Sequence, residues 1–251
     1  MQFSTASCQT PAAVDTILPL RIDNVSFEKS GQMLLRDISF LVTGGGTTII
    51  LGPNGAGKSL LLRICHGILQ PTRGVVKWLG TEACQARHKQ AMVFQNPVLL
   101  RRSVAANIDY VLRIRKLSIG DRKYRIKQAL DLTGLSDLVR RNARVLSGGE
   151  QQLLALARAW AVYPEVLFLD EPTANLDPAA TRAVEEIIQR FRSVGSKIIM
   201  TTHDLSQARR LADEILFLHH GKLLERAPTE QFFEHPENSN ARAFIQGNLL
   251  W

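Results

Sequence analysis

The sequence predicts an α/β fold in which a mainly parallel sheet is joined by an antiparallel β subdomain and an inserted α-helical lobe. Three observations predict this class. Apolar β-like runs alternate with runs of helical period through most of the chain, which is typical of a parallel sheet. Two strand-like segments near the N-terminus flank a short turn, which predicts an antiparallel pair. One long middle segment has helical periodicity only.

The first half of the chain contains most of the predicted strands. They are expected at 18–27, 34–42, 47–51, 75–79 and 91–95, with a helix at 60–68. The first two strands show polar and apolar alternation around the turn Ser30-Gly31-Gln32. The third strand is apolar throughout, as expected for a strand that is buried on both faces.

The second half of the chain begins with the helical segment and then continues with alternating strands and helices. Helical periodicity runs from Ser103 to Arg140, with breaks near 118–120 and 133–134. Further helices are predicted from Ser147 to about Val162 and at 178–192, 208–211, 229–233 and 241–244. Strands are predicted at 165–169 and 196–202, and a hairpin at 215–224 that turns at His220-Gly221.

These elements suggest one domain of 251 residues with a sub-lobe. We expect a flexible N-terminal tail at 1–17, the main domain at 18–227 with the helical lobe inserted at about 96–162, and a C-terminal helical tail at 228–251. No run is apolar and long enough to span a bilayer, and the first residues lack the pattern of a secretory signal. The cysteines Cys8, Cys65 and Cys84 lack metal-like spacing, which favours free thiols in a reducing cytosol.

The net charge of +8 is concentrated in one segment. Between Gln95 and Leu146 there are twelve Arg or Lys and four Asp residues, and twelve minus four equals the excess of the whole chain. A solvated helical face would explain this charge. An anionic membrane leaflet or a membrane partner would also match it. Nucleic acid is a weaker alternative, because few aromatic residues are interleaved with the basic ones.

A glycine-rich motif follows the strand at 47–51. It is Gly52-Pro53-Asn54-Gly55-Ala56-Gly57-Lys58-Ser59, and it fits the phosphate-binding pattern Gly-x4-Gly-Lys-Ser/Thr. Backbone N–H groups surround a phosphate where no Cβ blocks the approach, and a helix N-terminus adds its dipole. We therefore predict a P-loop NTPase core in which Lys58 contacts the terminal phosphates, Ser59 ligates Mg²⁺, and the backbone of Leu60 contributes a donor.

Two acidic residues end the buried strand at 165–169. Asp170 is placed to hold Mg²⁺ or its water, and Glu171 is placed to polarise an attacking water. A helix-capping pair would give the same local pattern. The phosphate-binding motif earlier in the chain favours the catalytic interpretation.

The segment Leu146-Ser147-Gly148-Gly149-Glu150-Gln151-Gln152 resembles the signature of the ATP-binding cassette superfamily. The resemblance extends from about Leu20 to Leu224 with the motifs in the family's order. Gln95 matches the glutamine loop, Asn175-Leu176-Asp177 the aspartate loop and His203 the switch histidine. The resemblance implies catalytic roles for Glu171, His203, Gln95 and Lys58, and magnesium ligands at Ser59, Gln95 and Asp170. It also implies that Ser147, Gly148, Gly149 and Asp177 contact ATP held by the other protomer of a homodimer.

The resemblance implies a function as well. Because no membrane segment is fused to the cassette, it suggests the ATPase subunit of an importer, bound peripherally to permease subunits at the cytoplasmic face of the inner membrane. A substrate-binding protein is expected as a further partner, and nucleic acid is not. The segments 57–67 and 96–104 look like those of tungstate-type oxyanion importers, with molybdate or phosphate as other solutes. A soluble cassette ATPase acting on DNA or ribosomes is the alternative, whereas the signature argues against a small-molecule kinase.

Three positions depart from the family pattern. Lys29 stands where the family usually has an aromatic residue that stacks on adenine, which leaves base selectivity open. Leu60 replaces a threonine whose hydroxyl contacts the α-phosphate. Leu153 replaces a basic residue, and nothing in the sequence explains that change.

Overall fold

The computed structural model describes residues 15–248, which form two sheets and a helical lobe. The strands are β1 (Leu20–Lys29), β2 (Gln32–Val42), β3 (Thr47–Leu51), β4 (Arg73–Trp78), β5 (Gln90–Val93), β6 (Val166–Asp170), β7 (Lys197–Thr202), β8 (Glu214–His219) and β9 (Lys222–Pro228). The helices are α1 (Lys58–His66), α2 (Ala86–Lys89), α3 (Val104–Ile114), α4 (Ile119–Thr133), α5 (Gly148–Ala161), α6 (Pro178–Ser193), α7 (Leu205–Leu211), α8 (Thr229–Glu234) and α9 (Ser239–Ile245).

The larger sheet has six strands in the order β5-β6-β7-β3-β8-β9. Its strands are parallel except for β9, which pairs antiparallel with β8. The central strands β3, β6 and β7 are buried along their whole length, which explains the apolar residues that fill most of each strand. Their C-terminal ends therefore meet at one edge of the sheet, where ligands bind in open α/β folds.

The smaller sheet is antiparallel, with the order β2-β1-β4. One apolar core lies between this sheet, α1 and one face of the large sheet, and a second core covers the opposite face under α5 and α6. The helical lobe has a third core of its own, formed by α3, α4 and α5. The predicted fold class is confirmed.

The expected tails differ from the structure at their inner ends. Residues 1–14 and 249–251 lie outside the described part of the chain. Within it, the predicted N-terminal tail is too long, because Ile17 is fully buried and its N–H donates to Glu165 Oε1 at 2.9 Å. At the C-terminal end, α8 and α9 bury Phe232 and Ala241 in the second core, so these helices are packed onto the domain.

Some element boundaries differ by a few residues. The strand expected at 91–95 ends at Val93, so Gln95 lies in the loop beyond it. The helix expected from Ala208 begins at Leu205, where the side chain of Asp204 accepts a hydrogen bond from the N–H of Gln207 at 3.0 Å. Across residues 15–248 none of the helices combines the length and the apolar character that a membrane crossing requires.

Candidate functional site

The phosphate-binding motif connects the buried strand β3 to helix α1. Gly52 has to be glycine, since a Cβ there would lie 2.1 Å from the carbonyl oxygen of Leu218. Lys58 is almost completely buried, and its ammonium donates to the carbonyls of Gly52 at 3.0 Å and Pro53 at 3.1 Å. Gly57 is the N-cap residue of helix α1 and provides no side-chain cap. The first N–H groups of α1 are therefore available to an anion.

A cavity of about 1240 Å³ lies over this motif. Its walls include the predicted residues Asn54, Gly55, Gly57, Lys58, Ser59, Leu60, Gln95, Glu171 and His203. The structure thus brings together the phosphate-binding motif, the glutamine loop, the strand-end glutamate and the histidine. The volume is large enough for a nucleotide-sized ligand.

Glu171 occupies the centre of this arrangement. Its Oε1 lies 3.2 Å from the ammonium of Lys58, and its Oε2 lies 3.1 Å from Nδ1 of His203. The carboxylate is only 12% exposed, whereas His203 is half exposed. Glu171 also has a positive φ of 44°, which is unusual for a residue with a side chain. This conformation places the carboxylate between a cation and an imidazole at the edge of the sheet.

Asp170, the predicted magnesium ligand, is 1% exposed and does not contribute to the cavity wall. The hydroxyl of Thr201 donates to its Oδ1 at 3.0 Å, and Nη2 of Arg63 lies 3.3 Å from its Oδ2. The same threonine hydroxyl accepts the N–H of Glu171 at 3.0 Å. One buried hydroxyl on β7 therefore contacts the carboxylate of Asp170 and the backbone of Glu171, whose N–H also donates to the carbonyl of Thr201 at 3.2 Å.

The donor set fits magnesium. Ser59, Gln95 and Asp170 supply hydroxyl, amide and carboxylate oxygens, the ligand types that Mg²⁺ prefers. Within the described range 15–248 no group of three or more His, Cys, Asp or Glu is arranged to hold a metal ion.

The signature residues lie outside the cavity. Ser147 caps α5, its Oγ accepting the N–H of Glu150 at 3.2 Å while Glu150 accepts the N–H of Ser147 at 2.7 Å. Asp177 caps α6 by accepting the N–H of Ala180 at 2.8 Å. Neither Gly148 nor Gly149 contributes to the cavity wall. Their contact with a nucleotide in another subunit stays a prediction.

Sequence reasoning missed Arg63 and Thr201, which both contact Asp170. Arg63 contributes to the cavity wall, and its guanidinium lies 5.9 Å from the centre of the Phe94 ring. The available signal was its position one helical turn after Ser59, which places both side chains on the same face of α1. Thr201 gave no signal of its own, because its role depends on β7 lying beside β6.

The comparison with protein-family models identifies the family. The model described as ABC transporter matches residues 35–174. The chain belongs to the ABC transporter family. This ABC protein is an ATP hydrolase, in agreement with the predicted activity.

Curated relatives of this ABC protein cover most of its length. The phosphate import ATP-binding protein PstB 2 of Natronomonas pharaonis is 38% identical over 92% of the chain and 88% of its own length. The tungstate uptake system ATP-binding protein TupC of Peptoclostridium acidaminophilum is 37% identical over 83% of the chain and 98% of its own length. The methionine import ATP-binding protein MetN 1 of Yersinia pestis is 37% identical over 86% of the chain and 66% of its own length.

Solved structures agree with this assignment. The dimeric post-hydrolysis state of the ATP-binding cassette MJ0796, bound to ADP and Pi, is similar with a TM-score of 0.75 and 26% identity. The match covers 84% of this ABC chain and 98% of the MJ0796 chain.

Proposed function

We propose that this chain is the ATP-hydrolysing subunit of an importer whose solute is an oxyanion, tungstate in the first place, with molybdate or phosphate as the alternatives. The observation that carries the proposal is the similarity to import subunits for phosphate and tungstate over most of both chains. The methionine import relative is equally identical to this chain but longer. The solute therefore has to be tested by transport.

The site residues divide the work of phosphoryl transfer in this proposal. Lys58 and the N-terminus of α1 bind the terminal phosphates, while Ser59, Gln95 and Asp170 hold Mg²⁺, which would neutralise the charge that develops on them. Glu171 orients the attacking water and accepts its proton. In the structure it is ion-paired with Lys58, so binding of a phosphate between the two would free its carboxylate to contact the water.

His203 is placed to contact the γ-phosphate or the water through its imidazole. Its Nδ1 lies 3.1 Å from Oε2 of Glu171, which supports the proposal that both groups contact the same water. The assignment predicts that changes at Glu171 affect turnover, whereas changes at Lys58 affect nucleotide affinity itself.

The second part of the proposal is a homodimer that forms with ATP bound. Ser147, Gly148, Gly149 and Asp177 would then face the nucleotide of the other protomer, because they lie at the N-termini of α5 and α6, away from the cavity of their own chain. Helix N-termini favour anions. The dimeric state of the similar cassette MJ0796 supports this arrangement.

The third part concerns the permease. A groove of about 370 Å³ runs between the end of the glutamine loop and the helical lobe, and its lining includes Phe94, Pro97, Val98 and Leu100. Val98 is 78% exposed and belongs to the basic segment from Gln95 to Leu146. We propose that this face docks on permease subunits at the cytoplasmic side of the membrane, with a substrate-binding protein on the far side.

The proposal is tested by uptake in a strain that lacks this subunit. Uptake of tungstate, molybdate, phosphate and methionine is compared after complementation with the wild-type chain or with Glu171→Gln, which serves as the inactive control. Restored uptake of an oxyanion by the wild-type chain alone is the expected result. Restored methionine uptake instead would refute the oxyanion assignment and leave the importer intact.

A second measurement tests the importer itself. The chain is purified from membranes in mild detergent, and the proteins that accompany it are identified. An integral membrane permease is expected. Recovery of ribosomes or DNA in place of a permease would favour a soluble cassette ATPase and would overturn the importer proposal.

A further inference from the structure

The nucleotide cavity has two ends with different chemistry. Gln95, Glu171 and His203 form one end, at the C-terminal edge of the large sheet. Phe27 and Lys29 contribute to the other end, on β1 of the antiparallel sheet.

The phosphate-binding motif connects these two ends. The ammonium of Lys58 is 3.2 Å from Glu171, and a Cβ at Gly57 would lie 3.4 Å from the carbonyl oxygen of Leu34 on β2. A nucleotide whose terminal phosphate faces Glu171 therefore directs its base toward β1 and β2. This placement rests on the proposed function of the site.

The side chains at the base end are not equivalent. Phe27 is half-buried and packs against the core between the two sheets, so only part of its ring faces the cavity. Lys29 is exposed at the end of β1, opposite Gln32, and forms no ion pair with any residue from 15 to 248. Its ammonium is thus free to contact a base edge.

An ammonium group carries three donors and no acceptor. Guanine presents two neighbouring acceptors, O6 and N7, whereas adenine presents the acceptor N7 beside an amino donor. Lysine therefore pairs with the guanine edge through both acceptors and with the adenine edge through one. We infer that Lys29 contacts the base and that this site takes GTP at least as well as ATP, so that its substrates are purine nucleoside triphosphates in general.

The experiment compares hydrolysis of ATP, GTP and ITP by the wild-type chain and by Lys29→Met. Methionine keeps the length of an aliphatic stem and removes the ammonium. Inosine carries O6 and N7 but lacks the 2-amino group, so ITP isolates the contact that Lys29 makes. We expect the wild-type ratio of kcat/KM for GTP over ATP to be at least about one, and Lys29→Met to lower it about five- to tenfold, as expected for loss of a base-edge contact at an exposed position.

The change should appear in KM, because the base lies far from the reacting phosphate, and ITP should follow GTP. Equilibrium binding of the three nucleotides to Glu171→Gln, with and without Lys29→Met, gives the same ratios without turnover. Lys77→Met is the matched control, because Lys77 is an exposed lysine on β4 of the same sheet and is not part of the cavity wall.

Two outcomes overturn the inference. One is a wild-type preference for ATP over GTP of more than about twofold in kcat/KM, which contradicts the expected ratio of at least about one. The other is an unchanged ratio in Lys29→Met. Failure to hydrolyse any nucleotide would instead count against the proposed function, so the two failures are distinguishable.

Discussion

Replacing Thr201 by valine tests whether one hydroxyl positions both acidic residues of the site. Thr201 is fully buried, and it lies beside Asp170 in the register of β6 and β7. Its hydroxyl donates to Asp170 Oδ1 at 3.0 Å and accepts the N–H of Glu171 at 3.0 Å. Valine has nearly the same shape, so the substitution removes these two hydrogen bonds and little packing.

The size of the effect follows from the charge of the partner. A hydrogen bond to a charged group contributes about 1.5–3 kcal/mol, and Asp170 Oδ1 would lose its only hydrogen-bond partner among the described residues. We expect a loss of about 2 kcal/mol in the free energy of unfolding, which lowers Tm by about 4–8 °C for a domain of this size. We also expect kcat for ATP to fall about tenfold or more, because the carboxylate of Asp170 loses a fixed position and the N–H of Glu171 keeps only its bond to the carbonyl of Thr201, at 3.2 Å.

Thermal unfolding and steady-state ATP hydrolysis measure the two effects. Thr201→Ser keeps the hydroxyl and should retain most of the activity. Thr48→Val is the matched control, because Thr48 is equally buried on β3 and its hydroxyl donates to Glu214 at 3.2 Å, away from the cavity. A kcat for Thr201→Val that equals the value for Thr48→Val would refute the positioning role.

Three other predictions address turnover, the hairpin tip and pH. Glu171→Gln should retain ATP binding at equilibrium and lose on the order of 10²–10⁴ in hydrolysis, and a normal hydrolysis rate would exclude Glu171 as the base. Gly221→Ala should lower the free energy of unfolding by about 2–4 kcal/mol, because the new Cβ would lie 2.2 Å from the carbonyl oxygen of Leu34. Gly195→Ala is the control, because Gly195 has a similar positive φ but open space around it, and it should lose only about 1–2 kcal/mol in denaturant unfolding. Burial lowers the pKa of His66 from 6.5 to about 4, so the unfolded chain binds this proton first as the pH falls. The free energy of unfolding should therefore decrease by up to about 3 kcal/mol as the pH falls from 6.5 to 4. His66→Phe should make the free energy of unfolding less dependent on pH in this range.

The parts of the site that the sequence predicts are those set by local geometry. The glycine spacing at 52–57 specifies where the backbone N–H groups can approach an anion, and this local property does not depend on the packing of the other elements. Buried parallel strands end at a common edge, so Glu171 and His203 could be placed together from their positions after two apolar runs. Both residues do contribute to the cavity wall beside Lys58.

The missed parts depend on which elements become neighbours. Thr201 contacts Asp170 only because β7 lies between β6 and β3, and strand order is not encoded in the period of a single strand. Arg63 contacts Asp170 because α1 lies next to the end of β6, and the sequence of α1 alone does not show which strand it will face. The buried Ile17 was assigned to a tail because its contact with Glu165 joins residues that are 148 positions apart. Local patterns carry no information about such contacts.

The two ends of the cavity should respond to substitution independently. The hydrolytic end rests on buried hydrogen bonds at the edge of the large sheet, whereas Lys29 is an exposed side chain at the end of β1. Thr201→Val should therefore lower kcat with little change in the ratio of GTP to ATP, and Lys29→Met should change that ratio with little change in kcat. Because the two side chains share no hydrogen-bond or ion-pair partner among residues 15–248, their effects on kcat/KM for GTP should add within about 0.5 kcal/mol in the double variant. A larger coupling energy would show that base contact and hydrolysis are linked through the phosphate-binding motif that separates them.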